Sequence, residues 1–380
     1  MLTFGYLGDA IGRPKAMLLT MLLVTIAAVG SGLAFLGESI QVMWIGIFRF
    51  ILGLGIGGIY PLSAAASYEC KDMGSDSSDS SARAAWALFW QQPGQLFTYA
   101  IAFLLLGIFG TSDYNLQYRL MLISGIFPSI FVLPTLLVNA RLEEGKIAEK
   151  KPDVGASLNQ VLQSPESVRA LLGTTLAWFL FDIYAYGITL YSPEILEDIF
   201  GSTETLSGIY WENALSILIT IPFAGLSVWA LGKLGSRRLQ LEGFGIAVVV
   251  FLVVAVAFSA TSNKVVLFML FLVLKAAAIF AVPTTTFVLP NELFDVQIRS
   301  TCNGISAAAG KFGAFVGTFV FPYIYDGLGM AALFYVCAGV ALVGLLVTLT
   351  FIPSSPTPQA STPQEPETVS ETSKLLPNEC

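Results

Sequence analysis

Apolar residues in this chain run in long unbroken stretches separated by short polar gaps. The stretches cover about 16–36, 41–66, 84–109, 118–138, 168–190, 209–231, 240–260, 264–287, 300–325 and 328–352. A helix rises about 1.5 Å per residue, so ~20 apolar residues cross the hydrocarbon core of a bilayer. The stretches lack the ten-residue alternation of barrel strands, and a lone segment in lipid satisfies its backbone only as a helix. The pattern therefore predicts an all-α integral membrane protein with ten complete spans. The first seven residues read as the last turns of a further helix.

The gaps set the topology. Arg13, Lys15, Lys71, Arg83, Arg141, Lys146, Lys150, Lys151, Arg169, Lys233, Arg237, Arg238 and Arg299 fall in alternate gaps, whereas the opposite gaps hold little besides Arg119 and Lys264. Cytoplasmic loops carry the excess of Lys and Arg, so we expect both termini in the cytosol. The chain divides into an amino-terminal half-bundle (1–138), a charged cytoplasmic linker (139–167), a six-helix carboxy-terminal half-bundle (168–353) and a disordered tail (354–380) rich in Pro, Ser, Thr and Glu. The tail carries Glu371-Thr-Ser-Lys-Leu375-Leu376, which is similar to an acidic dileucine sorting signal.

The halves echo each other. Gly8-Asp-Ala-Ile-Gly12-Arg-Pro-Lys and Gly232-Lys-Leu-Gly235-Ser-Arg-Arg each precede a span, and Glu69…Arg83 is matched by Glu292…Arg299. Internal repeats of this kind mark transporters that bind substrate between two halves.

Composition agrees. Of 380 residues 55% are hydrophobic and 12% charged, with a mean hydropathy of +0.74; a soluble domain carries roughly twice that charge. The chain has no His, which excludes a histidine base or histidine metal site. Its four Cys (Cys70, Cys302, Cys337, Cys380) show no metal or redox spacing. There is no basic patch for nucleic acid, no nucleotide loop, no cofactor motif and no cleavable signal peptide. An enzyme is not expected.

Polar residues inside apolar runs are the candidates for function. Trp178, Asp182 and Tyr186 recur every four residues and share one helix face. A carboxylate at the centre of a span costs about 2.5–3.5 kcal/mol on insertion scales, so it faces a partner helix or a polar pocket. Lys311, flanked by Gly310 and Gly313, needs an anionic partner for the same reason. Tyr60 sits in a glycine-rich span and Gln92 precedes Pro93; both can donate to an anion or tie helices together. Arg49 and Lys275 are further charges within spans, and for Lys275 the sequence offers only pairing or snorkelling.

Gly5-Tyr-Leu-Gly-Asp9-Ala-Ile-Gly12-Arg13-Pro-Lys15 resembles the loop signature of the major facilitator superfamily. Its Asp9 can meet a helix N-terminus or an arginine and latch one closed state. Three stretches narrow the resemblance to the phosphate:proton symporter branch: Gly57-Gly-Ile59-Tyr60-Pro-Leu-Ser63 with Glu69, Trp178-x3-Asp182-x3-Tyr186, and Pro290-Asn-Glu292 through Arg299, Gly304 and Lys311 to Gly313. The resemblance runs from residue 5 to about 352. It implies a major facilitator fold, and inorganic phosphate and protons as the transported partners. It implies Tyr60, Gln92, Trp178, Asp182, Tyr186 and Lys311 as phosphate ligands. Proton coupling or gating would fall to Asp182, Arg49, Asp9, Glu69, Arg83, Glu292 and Arg299. A monomer in the plasma membrane, or in a vacuolar or endosomal one, is the expected form.

The chain departs from that pattern at three places. Ile59 replaces an Asp beside the substrate Tyr, Pro283 replaces an Asn, and the first two helices of the family are missing. Thr284–Thr286 could supply hydroxyls in place of the Asn, and Arg49 lacks its expected acidic partners. We therefore expect proton coupling in a full-length form and not in residues 1–380 alone. The alternatives are a facilitator for a sugar or organic anion, or a non-transporting, sensor-like relative.

Overall fold

The computed structural model describes residues 1–33, 38–70, 77–110, 112–145, 154–201 and 205–354. The tail from 355, the dileucine-like stretch, and Lys71, Lys146, Lys150 and Lys151 lie outside the described residues. The described chain is helical: α1 (Leu2–Ile11), α2 (Arg13–Gly32), α3 (Glu38–Glu69), α4 (Ser77–Phe89), α5 (Gln91–Phe109), α6 (Tyr114–Ile123), α7 (Ile126–Gly145), α8 (Val154–Gln163), α9 (Pro165–Leu190), α10 (Ser192–Phe200), α11 (Leu206–Leu234), α12 (Ser236–Ala260), α13 (Lys264–Ile279), α14 (Val282–Leu293), α15 (Arg299–Leu328) and α16 (Met330–Phe351). Among the described residues ten helical segments are long and apolar enough to cross a membrane, and each overlaps one run of the sequence pattern.

Local chemistry fixes the ends. Ser164, Thr205 and Asn263 cap α9, α11 and α13 by accepting from backbone N–H groups of the first turn, which satisfies donors a helix start leaves open. The two repeated loops turn alike. Gly12 (φ 96, ψ 148) and Gly235 (φ 75, ψ 159) hold the same left-handed conformation, one that a side chain disfavours.

Three of the expected spans are interrupted. The span 84–109 breaks at Trp90, three residues before Pro93, and 118–138 breaks at Ser124–Gly125. The run 264–287, read as continuous from sequence, is two helices. Pro283 lies in the first turn of α14, where its missing N–H costs no helical bond. Ala281 takes a φ of 68°, and its N–H donates to Ser227 Oγ at 2.9 Å. The charged linker is not all loop either, since it holds α8. Val154 and Val161 of α8 pack on Leu293, Phe294 and Ile298, and Ser157 donates to Gln297 at 2.9 Å.

The most extensive helix contact among the described residues runs between α9 and α15. A Cβ on Gly313 would lie inside the van der Waals radius of the Phe179 carbonyl, and one on Gly310 would overlap the Trp178 indole. Small residues here let two helix backbones touch. That approach sets how far Lys311, between the two glycines, stands from α9.

Gly313→Ala is therefore expected to push α9 and α15 apart and to destabilise the purified protein by about 1–3 kcal/mol, as overpacking does. Gly327→Ala on the same helix meets nothing within 4 Å and should leave the melting temperature unchanged. Equal melting temperatures for the two variants would contradict this account of the α9–α15 contact.

Candidate functional site

A cavity of about 460 Å3 opens among α3, α4, α5, α9, α11, α13, α14 and α15. Tyr60, Gln92, Trp178, Asp182, Tyr186 and Lys311 all line it. Lys311 lies about 18 Å along α15 from Arg299, near the middle of a ~30 Å core. Its Nζ donates to Asp182 Oδ2 at 3.0 Å and to the Tyr186 hydroxyl at 2.6 Å. Asp182 is buried and Lys311 half-buried, so the carboxylate is spent on its partner while the ammonium keeps a face to the cavity. The ammonium also stands 4.1 Å from the centroid of the Tyr186 ring and 4.9 Å from that of Tyr60, where the ring quadrupole favours a cation.

Below this pair the rings of Tyr60, Trp178 and Phe287 meet edge to face, with centroids 6.3–6.5 Å apart. They form an apolar floor one helical turn from Asp182. The Tyr60 hydroxyl donates to Gln91 Oε1 at 3.3 Å, and Gln92 Oε1 accepts from Thr220 Oγ1 at 3.1 Å. Gln92 thus ties α5 to α11 and lines the cavity at once. Of the three threonines expected near Pro283, Thr284 and Thr286 line the cavity, and Thr285 and Thr286 turn their hydroxyls back to carbonyls of the α14 start. The sequence reading missed Asn213, Ser216, Thr220 and Gln91, which also line it, and saw Lys275, another lining residue, only as a charge within a span. Their signal was polarity inside apolar runs, and it is weak for single hydroxyls and amides.

On the far side of the aromatic floor the bundle is closed by charges. Asp9 accepts from the N–H groups of Ser300 and Thr301 at 3.2 and 2.7 Å and from Thr301 Oγ1 at 2.5 Å. It thereby caps α15 from another helix, where a carboxylate meets the positive end of the macrodipole. Arg13 reaches Asp9 at 2.8 Å, Glu69 at 3.0 Å and the Val296 carbonyl at 2.7 Å. Burial pushes the Asp9 carboxyl above the usual carboxylate range, and Arg13 and the α15 donors pull it back.

The two acidic members of the repeat are held alike. Glu69 takes Arg13 from its own half and Arg299, at 3.0 Å, from the other. Glu292 accepts from Ser236 of its own half at 2.6 Å and from Ser81 of the other at 2.5 Å. Glu69 therefore bridges to Arg299 of the opposite repeat. Arg83 donates to Ser80 at 2.8 Å. Arg49 is exposed on α3 and enters no ion pair among the described residues.

Comparison with known proteins fits this geometry. The model of the sugar (and other) transporter family matches residues 1–140 and 137–357. The inorganic phosphate transporter PT2 of Toxoplasma gondii is 35% identical over 361 residues, 94% of this chain and 62% of that protein's length. The probable inorganic phosphate transporter 1-6 of Arabidopsis thaliana is 30% identical over 91% of this chain and 78% of its own. The chain thus spans less than two thirds of the Toxoplasma relative. A solved structure of the proton:xylose symporter XylE superimposes with a TM-score of 0.72 at 19% identity, covering 92% of this chain and 82% of that one. A multi-pass membrane protein with a major facilitator fold, this chain belongs to the sugar (and other) transporter family.

Proposed function

We propose that the chain works in secondary transport of inorganic phosphate by alternating access, with Tyr60, Gln92, Trp178, Asp182, Tyr186 and Lys311 around the anion. The observation that carries this reading is the Lys311 ammonium, 3.0 Å from Asp182 and half open to the cavity. An oxyanion can take the carboxylate's place at Lys311, with the hydroxyls of Tyr60 and Tyr186 as further donors. Asp182 then loses its counter-charge in a buried site and takes up a proton. Phosphate at Lys311 and a proton at Asp182 favour each other, which is the coupling a symporter needs. The names of the relatives support phosphate as the solute.

In this reading the cavity alternates between two openings. The Asp9–Arg13–Glu69–Arg299 cluster is the closed latch on the side that the positive gaps assign to the cytosol. The two halves rock about the site as the latch opens. Both termini are cytosolic, the membrane is the plasma membrane, and the unit is a monomer.

A second reading rests on the amides of Gln91, Gln92, Gln95 and Asn213 in the same wall. A neutral sugar would use these rather than Lys311. Competition for labelled phosphate uptake separates the two: arsenate should compete and glucose should not. Glucose competition without arsenate competition would favour the sugar.

Lys311→Ala is expected to remove saturable phosphate binding by the purified protein while the bundle still folds, because Asp182 can hold a proton when its partner is gone. Lys311→Arg should also weaken binding, since a planar fork does not replace a compact ammonium. A phosphate Kd within about threefold of wild type in Lys311→Ala would reject the assignment.

Glu69→Gln removes the carboxylate shared by Arg13 and Arg299 and should loosen the closed end. Spin labels at Ile11 and Val296, placed in a cysteine-free background, report it. Wild type should hold one short distance, and Glu69→Gln should populate a longer one. Identical distance distributions would rule out the latch.

A further inference from the structure

The pair at the centre of the cavity is balanced, one ammonium against one carboxylate. A second ammonium lines the same cavity without such a partner. Lys275 stands about 16 Å along α13 from Lys264, deep within the span Lys264–Leu293. Its Nζ donates to Ser192 Oγ at 3.1 Å and lies 5.8 Å from the centroid of Phe271. Among the described residues no carboxylate comes within ion-pair distance of it. The Ser192 hydroxyl donates to the Ile188 carbonyl at 2.8 Å, so it offers Lys275 only a lone pair.

Nearby carboxylates are turned elsewhere. Glu194, Glu197 and Asp198 lie on the exposed face of α10, and Asp198 accepts from the Tyr325 hydroxyl at 3.0 Å. Glu212 faces a separate hollow beside Pro193 and Leu196. A hydroxyl and a ring do not offset an ammonium removed from bulk water. The cavity wall as a whole sets two ammoniums against one carboxylate, an excess of positive charge.

Position gives the excess charge a task. Ser192 follows the end of α9 at Leu190, about two turns beyond Asp182 and away from the latch. The Lys275 ammonium therefore stands at the outer part of the cavity. The inner ammonium is closed on Asp182 and Tyr186, so an arriving anion first meets an uncommitted positive charge at Lys275.

We propose that Lys275, steadied by its bond to Ser192, forms an outer oxyanion subsite on the cavity wall that captures phosphate before it displaces Asp182 from Lys311. The proposal rests on the phosphate reading above and adds a station that the central cluster does not require. A charge in a low-dielectric cleft raises association rates by 10–1,000-fold on the order of magnitude of electrostatic steering. The effect belongs to the on-rate, because the final contacts are those of Lys311.

The experiment is stopped-flow tryptophan fluorescence of the purified protein mixed with inorganic phosphate, Trp178 serving as the reporter. Lys275→Gln should slow association by about tenfold or more, and Lys275→Arg should restore it to within about threefold. A structural tether between α13 and α10 would act differently, so melting temperature without phosphate is measured too. Lys275→Met, which removes an uncompensated charge, should melt at or above wild type. Wild-type association in Lys275→Gln would overturn the subsite and leave the phosphate reading standing. A lowered melting temperature in Lys275→Met, with slow association in Lys275→Arg, would also overturn it in favour of a tether. No response of wild type to phosphate would sink both readings.

Discussion

The ion pair between Lys311 and Asp182 is the constraint on which the rest of the bundle depends. Either charge alone at the centre of a membrane is costly. Together they are tolerable only if α9 and α15 approach closely enough for a 3.0 Å contact. Gly310 and Gly313 permit that approach by leaving room for the Trp178 ring and the Phe179 carbonyl. Packing and charge are thus one device: small residues set the distance, and the distance neutralises the charges. What remains is an ammonium with one face to a cavity.

The same logic recurs at the closed end, with different chemistry in each repeat. Glu69 and Glu292 each take one donor from their own half and one from the other. Glu69 uses two guanidinium groups, whereas Glu292 uses two serine hydroxyls. The crossing of partners is what makes the cluster a tie between halves rather than within them. Asp9 adds a third tie, because its carboxylate ends the open N–H groups of α15 from α1. All these contacts sit at helix ends, where single rotations of a half would break them together.

Much of the site was legible in the chain. A residue such as Asp182 or Lys311 in a long apolar run announces itself, since lipid penalises it unless the fold provides for it. The spacing of Trp178, Asp182 and Tyr186 placed them on one face before any partner was known. Gln91, Thr220 and Asn213 gave no comparable signal, because hydroxyls and amides are cheap enough in helices to occur for packing alone. Lys275 was visible as a charge and opaque in role. Its meaning depends on which groups surround it, and the hydroxyl it meets comes from α10, far away in sequence.

By itself the sequence determined the number of spans and their approximate places, though not where three of them break, since the bilayer fixes helix length and composition reports it locally. It also showed the repeat of the two loops, and the structure added that Gly12 and Gly235 take the same positive-φ conformation. Only the tertiary structure decided who pairs with whom. Glu69 meets Arg299 across 230 residues, the run 264–287 breaks at Ala281 where Ser227 accepts its N–H, and among the described residues Lys275 has no carboxylate within ion-pair distance. Pairing depends on the relative placement of whole helices, which is set by the sum of many small contacts and is written in no single stretch of the chain.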